Sequence, residues 1–254
     1  MVPANTPAGF AVERISLTAP GLPAGVPPLR FASLSDLHMS AFTPRHERLA
    51  RAVTEADVDF VFLPGDMIRR QSKGWDALGR LIRLMRCRHG TYAVRGNWEL
   101  KFPMRSSALK AMMRDWGAEL LINEARSVRT ASGAVHVGGV DDLQRGWPDF
   151  SSALRGAAED DYGILLCHAP LGVRLLPPDS GIRLTLGGHT HAGQIRIPLA
   201  WRLALPEFHG RYHAGLYETE RGLLYVSRGF GGSGPVAVRF RCPPELTIFE
   251  VRGG

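Results

Sequence analysis

Lysine is scarce: Lys73, Lys101 and Lys110 are the only three in a chain of 254 residues. Arginine therefore carries almost all of the positive charge, and the formal net charge is +7. That balance attracts anionic partners such as phosphorylated molecules, acidic membranes or nucleic acid. No run of five basic residues marks a tail that would bind polyanions by itself. Cysteine is nearly as rare. Cys87, Cys167 and Cys242 are odd in number and far apart. This excludes a disulfide framework or a CxxC zinc pattern and fits a reducing compartment. Long hydrophobic runs are missing too. The N-terminal stretch has neither a basic segment nor a continuous apolar one, so no signal peptide is expected. Nothing approaches the roughly 18 apolar residues of a membrane-spanning helix. The expectation is a cytoplasmic protein. The apolar stretch holding Trp201, Leu203, Leu205 and Phe208 leaves room for peripheral contact with the inner membrane. Repeats, low-complexity tracts and long linkers are also absent.

What is present is an ordinary globular balance, 44% hydrophobic and 22% charged, in a chain long enough for a large core. Short apolar runs alternate with helical patterns through the first half. LRFASLSD ends on Asp36, DFVFLPGD on Asp66 and TYAVRGN on Asn97. Between them, 46–57 and 75–87 place apolar residues at helical spacing. This alternation argues for an α/β architecture with parallel strands. The second half reads mostly as strands, including 193–198, with helices expected mainly at 149–157 and 170–176. Sheet packed on sheet with helices outside is the natural inference. We expect an N-terminal lead-in segment at 1–30 and a single domain at 31–254, because the candidate ligands are split between the two halves.

The chemistry gathers at strand ends. SDLH (35–38), GD (65–66) and GN (96–97) come first, then CHAP (167–170) and GGHTH (187–191). Ligands at strand ends suit a cleft outside the carboxyl edge of a sheet. Carboxylate, amide oxygen and imidazole suit divalent Mn, Fe or Zn. One carboxylate has two oxygens and can bridge a pair of ions, which can clamp both the attacking and the leaving oxygen of a phosphoryl displacement.

These five motifs, in this order, resemble the calcineurin-like metallophosphoesterase superfamily. The later GGHTHAGQIRIP, GLYE, YVSRGFG and RCPPELT segments resemble its bacterial YkuE/YaeI-like phosphodiesterase branch, so the likeness spans nearly the whole chain. The resemblance implies two mixed β-sheets packed as a sandwich flanked by helices. It implies two divalent metal ions. Asp36, His38, Asp66 and His191 would hold one, and Asp66, Asn97, His168 and His189 the other, with Asp66 bridging. It implies hydrolysis of a phosphodiester, phosphomonoester or diphosphate by a metal-bound hydroxide. A cell-envelope or lipid-linked substrate is compatible with the branch. In the family the third motif usually continues GNH plus an acid. Here it reads Gly96-Asn97-Trp98-Glu99, so Trp98 stands where a phosphate-contacting, proton-donating histidine is usual. An indole N–H cannot transfer a proton.

Further candidates for the substrate side are Arg95, Arg211, His209 and His213, with Arg228 as another phosphate fork. Asp141 and Asp142 suit partners of ligand histidines or a solvated turn. His46, His89 and His136 are expected to be structural or solvated. Two rival functions remain at this point, a nuclease and a metal-binding scaffold without catalysis. The basic charge permits nucleic acid, but no RNP-like or helix-turn-helix signal supports it. Oligomeric state is not legible.

Overall fold

The computed structural model describes residues 9–19, 22–69, 72–102, 104–158, 160–196, 205–234 and 238–254. Along β3 (Phe60–Pro64) every residue is buried, yet the side chains serve two cores. Phe60 and Phe62 point into one cluster, Val61 and Leu63 into another. A strand covered on both faces reads as a continuous apolar run because each alternate residue has its own layer to fill. The first sheet has the order β1-β12-β2-β3-β4-β5. Its strands are β1 (Ala11–Ala19), β2 (Leu29–Ser33), β3, β4 (Thr91–Val94), β5 (Ala118–Leu120) and β12 (Glu245–Gly253). From β2 to β5 all pairs are parallel. β12 runs antiparallel to β2 and parallel to β1, so residues within the expected lead-in segment form an edge strand.

The second sheet has the order β10-β11-β9-β8-β7-β6. It comprises β6 (Glu124–Thr130), β7 (Gly133–Gly139), β8 (Tyr162–Leu166), β9 (Ile182–Gly187), β10 (Gly215–Thr219) and β11 (Gly222–Val226). Phe31, Phe62 and Phe249 from the first sheet meet Val137, Ile164, Leu186 and Tyr225 from the second in a shared core. Helices α1 (Pro44–Glu55), α2 (Ser72–Leu84) and α3 (Ser106–Trp116) cover the outer face of the first sheet. Leu49, Leu78 and Met113 pack there on Val61 and Ala93. Short α4 (Phe150–Ala153) and a 3-10 stretch (Pro170–Leu175) cover the second. The architecture is thus the expected sandwich of two mixed sheets flanked by helices. Among the described residues no helix is long and apolar enough to cross a membrane.

The strand expected at 193–198 is not formed within its described part. A 3-10 turn occupies His191–Gly193, and only the single bridge Ile195–Phe240 follows. Left-handed backbone at His191, Ala192 and Gln194 prevents an extended run. Of the apolar stretch proposed for membrane contact, Trp201 and Leu203 lie outside the described residues.

Candidate metal centre

The loop after β2 runs beside the loop after β3, and backbone hydrogen bonds continue the pairing beyond the strands. Asp36 N donates to Gly65 O (3.1 Å), His38 N to Asp66 O (3.0 Å) and Met39 N to Met67 O (3.0 Å). The side chains of 36, 38 and 66 are thereby delivered to one place at the carboxyl ends of the parallel strands. The loops after β8 and β9 bring His168, His189 and His191 from the second sheet. All seven expected ligands are buried.

Five of them, Asp36, His38, Asp66, His189 and His191, have φ between 41° and 69°. That left-handed region is costly for residues with a Cβ and persists only where the surroundings impose it, typically at functional sites. Close approach is the other requirement. A Cβ on Gly188 would lie 2.1 Å from Asp36 Oδ2, and one on Gly96 2.3 Å from Asp66 Oδ1, so only glycine fits against these carboxylates.

Asp66 sits between imidazoles. Its Oδ2 is 3.6 Å from His38 Nε2 and 3.4 Å from His168 Nε2, while Oδ1 accepts the Trp98 backbone N–H at 2.9 Å. Asp36 Oδ1 is 3.4 Å from His191 Nε2, and its carboxylate accepts the His189 backbone N–H. Two groups of potential ligand atoms, each mutually within 4.8 Å, result: Asp36 with His38 and His191, and Asp36 with Asp66 and His168. His189 joins the second group through Nδ1, 3.3 Å from His168 Nε2. Asp36, expected on one side only, therefore reaches toward both.

Outer contacts orient the rings. His168 Nδ1 is 2.8 Å from the Pro64 carbonyl, and His189 Nε2 is 2.8 Å from that of Glu207. A carbonyl only accepts, so each ring donates an N–H there and turns its other nitrogen inward, the usual support for a metal ligand; on His189 that nitrogen carries a lone pair, whereas on His168 it carries a proton that a metal ion would displace. His191 is held otherwise: the Arg239 guanidinium stands 3.2 Å from its Nδ1, and its Nε2 faces His38 Nε2 at 3.0 Å.

The electrostatics point the same way. Burial lowers His38 and His189 to about 4 and pushes His191 well below its ordinary value, so these rings are neutral. Burial would depress His168 as well, but Asp66, Asp36 and Asp142 raise it to about 10. Burial opposes charge on Asp66, yet His168, His38 and the Trp98 amide hold it well below the usual carboxylate range. Burial lifts Asp36 to about 6. Asn97 Oδ1 is buried with no hydrogen-bond partner. An orphaned amide oxygen beside converging carboxylates and neutral imidazoles is a donor set that a divalent ion completes.

Trp98 stacks edge-on against His38, ring centroids 5.1 Å apart, and carries the Lys101 ammonium 3.7 Å from its own ring centre. The other expected substrate residues are more dispersed. Arg95 is buried and engaged, with Nε and Nη2 on the Asp141 carboxylate (2.9 and 2.6 Å) and Nη1 on Ser106. Arg228 is paired with Glu13 and Glu245. Arg211 borders a separate cavity of about 430 Å³ with Arg174 and Arg221, which none of the seven lines. His209 and His213 lie in the segment after Glu207; His209 is close enough to help depress His189. Asp141 and Asp142 are buried rather than solvated. A cavity of about 890 Å³ surrounds Tyr162, Ile182 and Gly222, where β8, β9 and β11 begin, away from the expected ligands at strand ends.

Two residues that the sequence reading left unused matter here. Arg239 braces His191. Glu99 accepts four backbone N–H groups, those of Gly96, Asp66, Met67 and Ile68. An acid directly after the third motif was the available signal for Glu99; nothing local marked Arg239.

The sequence profile of the calcineurin-like phosphoesterase family matches residues 29–193. The chain is 27% identical to the uncharacterized metallophosphoesterase YkuE of Bacillus subtilis, covering 91% of this chain and 82% of that protein. It is also 27% identical to the phosphodiesterase YaeI of Escherichia coli, covering 88% and 82%. Among solved structures, Haemophilus influenzae NAD nucleotidase (NadN) aligns with a TM-score of 0.52 at 12% identity. That alignment covers 80% of this chain and 46% of the nucleotidase, and is a likeness of fold.

Proposed function

The chain belongs to the calcineurin-like phosphoesterase family and is a phosphoester hydrolase; on that premise we propose that Asp36, His38, Asp66, Asn97, His168, His189 and His191 hold two divalent ions, with Asp66 as the bridge. The observation that carries this reading is the position of Asp66 Oδ2, within 3.6 Å of one imidazole from each sheet. Mn, Fe or Zn would suit the donors. Ions held there would offset phosphate charge and acidify water. The chain's own residues do the rest. Pro64 O and Glu207 O fix two rings, Glu99 fixes the backbone on which Asp66 and Asn97 sit, and Arg95 acts through Asp141 rather than on substrate. His209 and His213 stand on the substrate side. Trp98 walls the cleft and donates no proton from its ring.

Phosphodiesters are the favoured substrate class, since the similar Escherichia coli protein is named a phosphodiesterase. Cell-envelope and lipid-linked diphosphates, with peripheral membrane contact, form the finer reading and rest on the sequence resemblance alone. Residues 31–254 act as one catalytic domain, because its ligands come from both sheets. The test is metal analysis of the purified protein together with a Mn-supplemented panel of phosphomonoesters, diesters, nucleoside diphosphates and DNA. Turnover of bis-p-nitrophenyl phosphate with close to two equivalents of bound metal is expected. Metal without turnover of anything would favour a scaffold, and preference for DNA a nuclease.

A further inference from the structure

His38 has a second neighbourhood besides Asp66 and His191. It borders a cavity of about 300 Å³ whose wall includes Ser40, Thr43, Arg45, His46 and Arg69, closed by Gly231. Two backbone hydrogen bonds tie the cavity to the loop that carries Asp36 and His38. Gly231 N donates to Asp36 O at 2.7 Å, and Arg69 N donates to Met39 O at 2.9 Å. Its charge is one-sided: among the described residues no Asp or Glu lines it, while two arginines do. Neither guanidinium is ion-paired among the described residues. Arg45 lies over the Phe230 ring at 4.7 Å, and Arg69 donates to the Gly234 carbonyl. His46 adds no charge, being spent on the Thr43 backbone N–H at the start of α1.

Two guanidiniums gathered without a counter-ion in a concave wall repel one another, and an anion entering between them relieves that repulsion. Guanidinium matches the oxygen pairs of phosphate and carboxylate. The Ser40 hydroxyl adds a donor, while that of Thr43 is engaged with His46 Nδ1 at 3.0 Å. The volume is at the small end of ligand sites, enough for a compact charged group and too little for an acyl chain. Taking the phosphoesterase reading as its basis, we propose that this cavity binds a second anionic group of the substrate, a phosphate or carboxylate beyond the phosphorus that is attacked.

The test compares p-nitrophenyl phosphodiesters whose other ester group is methyl, 2-carboxyethyl or 2-phosphonoethyl, using the Mn-loaded full chain. The two esters that carry a second anionic group should exceed the methyl ester in kcat/KM by about tenfold, mainly through KM, and the margin should shrink as salt rises. The stronger of the two identifies the anion. Arg69→Gln and Arg45→Gln should bring the ratio toward one, whereas Arg69→Lys should keep part of it by retaining charge without the fork. Calorimetry supplies a readout without turnover: 2-carboxyethylphosphonate should bind the parent more tightly than ethylphosphonate, and Arg69→Gln, checked for folding by circular dichroism, should lose that preference. Equal kcat/KM for all three diesters in an active parent would overturn the anion subsite and leave the phosphoesterase reading intact. A Mn-loaded parent that cleaves none of them defeats the phosphodiester reading. The calorimetric comparison then decides the subsite alone, and absence of preference rejects it.

Discussion

Glu99 Oε2 accepts the backbone N–H of Asp66 at 3.0 Å, although the two residues lie 33 positions apart. The same oxygen takes the Gly96 N–H at 2.8 Å, and Oε1 takes those of Met67 and Ile68. Burial and the nearby Asp66 charge push Glu99 up to about 8, against four amides that favour its ionised form. The carboxylate thus ties the loop after β3 to the loop after β4. In Glu99→Gln an NH₂ group must face backbone donors. Metal affinity should fall by about 10–100-fold, as for other residues that orient ligands. Mn titration followed by calorimetry measures this, and parental affinity in the variant would show that the clamp is dispensable.

Asp66→Asn should cut turnover of bis-p-nitrophenyl phosphate by more than about a hundredfold, beyond the loss typical of outer-shell changes. The amide keeps the acceptor for Trp98 N–H but removes the charge between His38 and His168. Bound metal should drop from near two equivalents. Activity within about threefold of the parent would refute the bridging role.

Trp98→His should raise rates on esters with poor leaving groups while changing p-nitrophenyl esters little. Without a side-chain acid at position 98, negative charge builds on the departing oxygen, and a positioned acid contributes about 10²–10⁴-fold. The measurement is the slope of log rate against leaving-group pKa in both proteins, with metal content as the control for altered packing on His38. A shallow slope in the parent would mean that another donor exists, with His209 and His213 the first to substitute.

The chelator-treated protein should melt at progressively lower temperature as pH rises from about 6.5 to about 10. His168 is raised to about 10 in the fold, so its contribution is complete below the unfolded value of about 6.5 and is lost as pH climbs through the folded one. Glu99, raised to about 8, acts in the same direction. Mn should flatten this limb because the ion replaces the proton among the carboxylates, and its uptake should release protons. A melting temperature independent of pH over this window in the metal-free protein would contradict the assignment of a charged His168.

Strands β2, β3 and β4 were legible because each is an apolar run that stops at glycine or a polar residue, and those stops are where Asp36, Asp66 and Asn97 stand. β1 was missed because its burial alternates with exposed residues along an edge, beside a Pro- and Gly-rich stretch that suggests no regular structure. α3 buries only Leu109 and Met113, too narrow a stripe to stand out. The expected strand at 193–198 does not form over its described part for a different reason: the backbone at His191, Ala192 and Gln194 has positive φ, and no local pattern announces it. The residue types of the proposed ligands were visible in the sequence. The four amides on Glu99 and the guanidinium behind His191 depend on distant segments meeting, so no window of sequence contains them.

The pairing of β12 between β1 and β2 constrains how the protein can be born. Every proposed metal ligand emerges from the ribosome at least fifty residues before β12 does, yet until β12 arrives β2 lacks its antiparallel neighbour and β1 has no partner at all. Contacts of such long sequence separation form slowly and leave strand edges open to wrong pairings meanwhile. A nascent chain therefore holds its proposed metal-binding loops on a sheet in which β1 is still unpaired and β12 still unmade, and ion capture before release would have to occur on an unfinished scaffold.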